Sequence, residues 1–370
     1  SYDNKPLNPA AWLYKTAYRN LLTELNTSHR RTQLLKQRFE QEENLEEPNE
    51  SQCFSIELND SMLCMLFIAC DENIPIESQL IFVLKSLCGF NIKEISFLLF
   101  ITEVNTYKRY GRAKKYLKEK NIDLNALPES QIKNRLPSVL QVIYLIFTEG
   151  HLSSHESLAI RKDLCEEAVR LAELLLNSPA GNIPTSCALL ALMNFHMARF
   201  DSRQSELGDL LLLHEQDRSI WNKTLIEKAM HYLTMSAASN TLSRYHIEAS
   251  IVAEHCLSPS FEMTRWDRII ASYDLLEKVH PSPLSQLNRA VAIAEWKGAH
   301  AGLKALEEIN LPLWLSRSYQ WYAVHANLLF RCENIEQANH YMARAIELAP
   351  NESIKQLIQN AKERKSTNSE

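Results

Sequence analysis

The chain has 370 residues, a mass of 42.6 kDa and a formal net charge of -5, enough for two or three cored domains. Its longest apolar stretches, such as Leu210–Leu213 and Ile143–Phe147, are far too short to span a bilayer. Ser1 opens no basic and apolar leader, so secretion is not indicated and a cytoplasmic location is expected.

Glycine is scarce, at 7 residues, and apolar residues recur every three or four positions without period-two runs. That pattern predicts an all-α protein. The eight cysteines, Cys53, Cys64, Cys70, Cys88, Cys165, Cys187, Cys256 and Cys332, are scattered and never form C-x-x-C. They read as reduced thiols; Cys64 and Cys70 lack the neighbouring ligands a metal would need, and neither metal nor cofactor is expected.

In chain order, Asn8–Arg31 comes first. Pro9 suits a helix start, and Trp12, Leu13, Ala17, Leu21, Leu22 and Leu25 form one apolar stripe. Glu40–Glu50 is an acidic run without apolar periodicity and reads as a solvated linker. Two apolar helices follow, over Asp60–Cys70 and Ile76–Leu87.

The segment Gly89–Leu117 reads as a helix-turn-helix. Ile92, Ile95 and Leu99 share one helical face, and Thr106, Tyr110, Ala113 and Leu117 share another, with a tight turn at Phe100–Glu103. Thr102 is a candidate N-cap, and Glu103 suits the positive end of the helix dipole. From Lys108 to Lys120 seven basic residues face the single acid Glu119, against the overall sign of the chain. If the Thr106 face packs inward, then Val104, Asn105, Tyr107, Lys108, Gly111, Arg112 and Lys115 lie on the outer face. Gly111 in mid-helix costs about 1 kcal/mol relative to alanine, which makes sense where a backbone must be approached closely. The candidate DNA contacts are Asn105 and Lys115 on phosphates and Tyr107, Lys108 and Arg112 on base edges, with Gly111 allowing the approach.

Beyond Leu136 the chain is an array of amphipathic helices without a basic stripe. Tyr322, Ala326, Leu329, Ala338, Met342, Ala345 and Pro350 have the spacing of a tetratricopeptide repeat, and Ser285, Asn288, Ala292, Ala301 and Ala305 form a looser copy. Such stacked hairpins offer a face to partners. The polar residues Glu149, Asp217, Arg218 and Arg244 could line a small-molecule pocket. No H-E-x-x-H, phosphate loop or nucleophile elbow accompanies them, so an enzyme is not expected.

Several of these motifs carry a resemblance. Gly89, Glu94, Ile95, Arg109, Arg112, Ala113 and Lys114 match region four of bacterial extracytoplasmic-function sigma factors. Leu66, Phe67 and Cys70 match a string preceding it, where Asp71 replaces the family's histidine. Asn8, Pro9, Ala11, Trp12, Leu13, Ala17 and Asn20 resemble the end of region two, although Leu21, Leu22, Thr23 and Asn26 are neutral where the family has more arginine. Blocks from Arg135–Ser154 to Tyr273–Ala294 resemble the long C-terminal extension of one subgroup. The resemblance implies the end of region two at 1–39, an acidic linker at 40–56, a region-four domain at 57–123 and a tetratricopeptide-like solenoid at 135–362. It also implies that the sequence begins partway through region two. The expected function is to direct RNA polymerase core to promoter DNA, with a regulatory protein engaging the repeats and no catalysis by the chain. The alternative is an interaction scaffold with a vestigial helix-turn-helix.

Overall fold

The computed structural model describes residues 61–99, 101–120, 129–152, 160–178, 181–205, 208–238 and 242–367. The helix expected within 1–39 and the linker at 40–56 lie outside these residues, as does Cys53. Among the described residues the fold is all-α, without strands; one isolated antiparallel bridge joins Gln204 and Leu210. The chain divides into two compact units, one running to Val142 with Ser178 and the other taking Ile143–Asn177 and the residues from Gly181 on.

The first unit holds α1 (Ser61–Ala69), α2 (Ile76–Ser86), α3 (Ile92–Leu98), α4 (Glu103–Lys120) and the first half of α5 (Glu129–His151). α2 packs on α4, and α3 touches both. The fully buried side chains include Leu66, Phe67, Ile81, Leu84, Phe90 and Ile95; in the row Ile92, Ile95 and Leu99, Ile95 is buried and the other two are partly buried. A reciprocal capping box starts α3: Glu94 N donates to Asn91 Oδ1 at 2.8 Å, and Asn91 N to Glu94 Oε2 at 2.6 Å. Gly89 takes φ +74° just before it, a conformation that glycine adopts without strain.

The first unit, which runs to Val142, includes Arg135. Asp71 is fully buried at the end of α1, and Arg135 of α5, 2% exposed, donates to its Oδ2 at 2.7 Å and to the carbonyl of Phe67 at 2.9 Å. Lys120 of α4 reaches the same carboxylate at 3.0 Å, and Asn73 donates to Oδ1 through its backbone and side-chain nitrogens. Burial alone would push the Asp71 carboxyl up; the Asn73 and Lys120 hydrogen bonds and the Arg135 charge outweigh it and lower it to about 2. The residue that departs from the resembling motif thus ties α1, α4 and α5 together.

The second unit continues with α6 (Lys162–Asn177), α7 (Pro184–Met197), α8 (Lys223–Ser236), α9 (Arg244–Leu257), α10 (Trp266–Val279), α11 (Pro283–Lys297), α12 (Ala299–Glu307), α13 (Tyr319–Arg331), α14 (Ile335–Leu348) and α15 (Glu352–Thr367). Each packs on the next, and α9 also returns to α7. In α13 and α14 the small positions Ala326, Ala338 and Ala345 are buried as the repeat spacing predicts. In the looser copy Ala292 is buried, against Ile247, Ile269 and Leu276, but the other positions are not. Leu287, Ala290, Ala294 and Leu306 form its core, whereas Asn288 is exposed and Ala301 and Ala305 are only partly buried. Gly302 marks the crossing of α11 and α12, where a Cβ would lie 2.6 Å from that of Ala294 and 3.0 Å from the Ala290 carbonyl oxygen. Leu210 shares a cluster with Met342, Ile354 and Ile358, so an irregular segment between α7 and α8 packs with the last hairpin.

Candidate nucleic-acid interface

α4 is set by its first turn and by its apolar face. Thr102 Oγ1 accepts from Asn105 N at 3.3 Å, the expected N-cap contact, and Glu103 opens the first turn. Thr106 and Ala113 are buried, and Tyr110 stacks on Phe82 of α2 with ring centroids 6.0 Å apart. The opposite face is open. Val104 and Tyr107 are 65% and 68% exposed, and Lys108, Gly111, Arg112, Lys114, Lys115 and Lys118 are exposed with them. A Cβ at Gly111 would meet nothing within 4 Å, so no packing inside the described chain calls for glycine there.

The structure divides the seven basic residues into two groups. Lys120 is drawn to Asp71, and Arg109 donates to Glu77 of α2 at 3.0 Å and to Asn105 Oδ1 at 3.1 Å. Arg109 therefore fastens α4 to α2, and Asn105, half-buried, spends its side-chain oxygen on that fastening. Lys115 lies 3.9 Å from Glu119, a solvated pair one helical turn apart that contributes little. Among the described residues Lys108 and Arg112 make no ion pair. The outer face thus presents Lys108, Arg112, Lys114, Lys115 and Lys118 along one helix, with Tyr107 and Val104 toward its N-terminal end.

The four polar residues expected to share a pocket do not converge. Asp217 is exposed and accepts from Ser219 N at 2.8 Å. Arg218 donates to the carbonyls of His255 and Ser258 at the C-terminal end of α9, at 2.7 and 2.8 Å. Arg244 sits at the other end of α9, about 16 Å away at helical rise. There it pairs with Glu248 at 3.0 Å and covers the ring of Tyr144, whose hydroxyl donates to Glu248 at 2.6 Å. Glu149 is buried on α5. Spacing along the chain suggested one pocket; the length of α9 separates it into two polar sites. No group of three or more histidine, cysteine or acidic residues suited to a metal occurs among the described residues.

Residues 135–237 match a family of unknown function, DUF6596. An uncharacterized protein of Rhizobium meliloti (strain 1021) is 28% identical over 354 residues, covering 94% of this chain and 82% of that protein. No solved structure matches. No described helix is long and apolar enough to cross a membrane.

Proposed function

We propose that this chain is a sigma factor of the extracytoplasmic-function type, with α4 reading the upstream promoter element and the C-terminal array serving as a tetratricopeptide-like regulatory or polymerase-facing domain. The observation that carries this reading is the open basic face of α4, buried on its other side against α2 and α3. A helix anchored in this way and open on its cationic side is suited to the major groove. In this reading Lys114, Lys115 and Lys118 meet phosphates, and Arg112 and Lys108 meet base edges. The unexplained glycine at 111 suits a close approach by DNA. Asn105 keeps only its amide nitrogen for a phosphate, since its oxygen serves Arg109.

Promoter binding by the full chain, and transcription with polymerase core, test the proposal. Arg112→Ala is expected to cost about 1–3 kcal/mol on the cognate promoter and to relax its sequence preference. Lys115→Ala should weaken binding to all sequences alike and flatten its dependence on salt. If neither substitution changes DNA binding, α4 does not enter the groove, and the interaction-scaffold reading takes its place.

A further inference from the structure

Three guanidinium groups gather in the second unit without an ion pair among the described residues; the exposed Glu262 acts on Arg218 only from beyond ion-pair distance. Arg199 and Arg203 follow the C-terminal end of α7 and are buried, and Arg218 begins the short turn Arg218–Ile220. Among the described residues none of the three lies within ion-pair distance of a carboxylate, and their partners are neutral. Arg199 Nε and Nη2 donate to Gln216 Oε1 at 3.4 and 3.2 Å. Arg203 Nη1 donates to the carbonyl of His151 at 2.5 Å and to its Nδ1 at 3.0 Å, which makes that nitrogen an acceptor and the ring neutral. Arg218 spends Nη1 on the two carbonyls that end α9.

One indole joins two of them. The guanidinium carbons of Arg199 and Arg218 lie 5.5 and 4.8 Å from the Trp221 ring centre. That ring is fixed by Trp221 Nε1 donating to Ser202 Oγ at 2.7 Å. The rings of His151 and His196 lie 4.4 Å apart beside Phe147, and Phe200 lies against His151. Burial first, and then the neighbouring arginines, push His255 down to about 3 and hold His151 and His196 well below the usual imidazole range. The histidines therefore add no charge, but neither do they remove any.

Helix-end carbonyls offset only part of such a charge, because a helix terminus carries roughly half an elementary charge. Buried cations without a counter-charge are strongly unfavourable. Three buried atoms here also lack any hydrogen-bond partner: Arg218 Nη2, His196 Nδ1 and His255 Nδ1. Their residues are only partly buried, so solvent reaches the edge of the cluster. We propose that this cluster is a binding site for one small oxoanion, a carboxylate or phosphate group, held by Arg199, Arg218 and the imidazoles of His196 and His255 against Trp221. A neutral imidazole can present N–H at either nitrogen, and Arg218 has Nη2 to offer. This site is independent of the DNA reading and belongs to the repeat half alone.

The test is calorimetric titration of the full chain with inorganic phosphate and, separately, with succinate, in buffers matched for ionic strength with chloride. One saturable site per chain is expected for at least one of them. Phosphate alone points to a phosphorylated ligand, and succinate alone to a carboxylate. Arg218→Gln retains an amide for the α9 carbonyls and should bind at least roughly tenfold more weakly, whereas Arg112→Ala on α4 should bind as the parent does. Should Arg218→Gln fail to fold, imidazole nitrogen signals of the parent chain decide: those of His196 and His255 should shift on titration. Binding no tighter than chloride, binding unchanged in folded Arg218→Gln, loss with Arg112→Ala, or unmoved His196 and His255 signals would each overturn the proposal.

Discussion

The two units treat buried charge in opposite ways. In the first, Asp71 is enclosed with Arg135 and Lys120, an acid answered by two bases from distant helices. In the second, Arg199, Arg203 and Arg218 lie among neutral carbonyls, an amide, imidazoles and an indole. A paired buried charge ties elements together and becomes costly only when one partner is removed. An unpaired one costs free energy in the resting chain and falls when a counter-ion arrives. The first arrangement suits a fixed platform for α4; the second suits a unit that answers a ligand.

The comparison breaks most sharply at Arg135. Arg135→Met should destabilise the first unit by about 3–5 kcal/mol, because Asp71 is left buried with too little positive charge. Hydrogen exchange across α1–α4 should accelerate while α13 and α14 keep their protection. Adding Asp71→Leu should restore much of the loss, and a loss unchanged in the double variant would show that the arginine acts through packing.

The same reasoning moves the boundary of a foldable fragment. Residues 57–123 omit Arg135, whereas 57–142 include it. The longer fragment should give dispersed amide signals and the shorter one collapsed spectra. Equal dispersion in both would show that Asp71 is satisfied without α5.

Acid should separate the units next. His151, His196 and His255 have folded values below the unfolded value of about 6.5, so the unfolded chain binds more protons beneath that pH. Their contribution is present above pH 6.5 and is lost as the pH falls, by up to about 1.4 kcal/mol per pH unit for each histidine. Asp71, lowered to about 2, keeps its contribution until the pH drops through the ordinary carboxylate range toward 2. Five of the six tryptophans, all but Trp12, lie in the second unit, so their fluorescence reports it. Urea midpoints by fluorescence should fall between pH 6.5 and 5, before α1–α4 lose exchange protection. Loss of the first unit at the higher pH would reverse the assignment.

The smallest expected effect lies at a crossing of small residues. Gly302→Ala should cost about 1–3 kcal/mol in the second unit by overpacking the crossing with α11, and should leave the first untouched. A neutral outcome in thermal unfolding would mean that α12 can slide without loss.

Much of the first unit was legible because its determinants are local. The cap at Thr102 and the apolar rows of α3 and α4 follow from spacing within one or two turns. So does the open face bearing Tyr107, Lys108, Gly111, Arg112 and Lys115. The capping box at Asn91 and Glu94 is as local but was not anticipated from the sequence. The sequence could not reveal that Arg109 and Lys120 are engaged by acids, because Glu77 and Asp71 lie 32 and 49 residues away. Asp71 itself stood out only as the acid standing where the resembling motif has histidine.

In the second unit, periodicity determined that helices form, since a helix side is fixed by 3.6 residues per turn. It placed Ala326, Ala338 and Ala345 correctly. Only the tertiary structure decided which positions of the looser copy meet at the crossing, where the close approach at Gly302 selects Ala290 and Ala294. Only packing brought Arg199, Arg203 and Arg218 to one cluster and held Arg244 apart at the far end of α9. The physical reason is the same in each case. Local geometry sets direction along a helix, whereas the partner of a buried charge is chosen by whichever distant segment the fold brings within hydrogen-bonding reach.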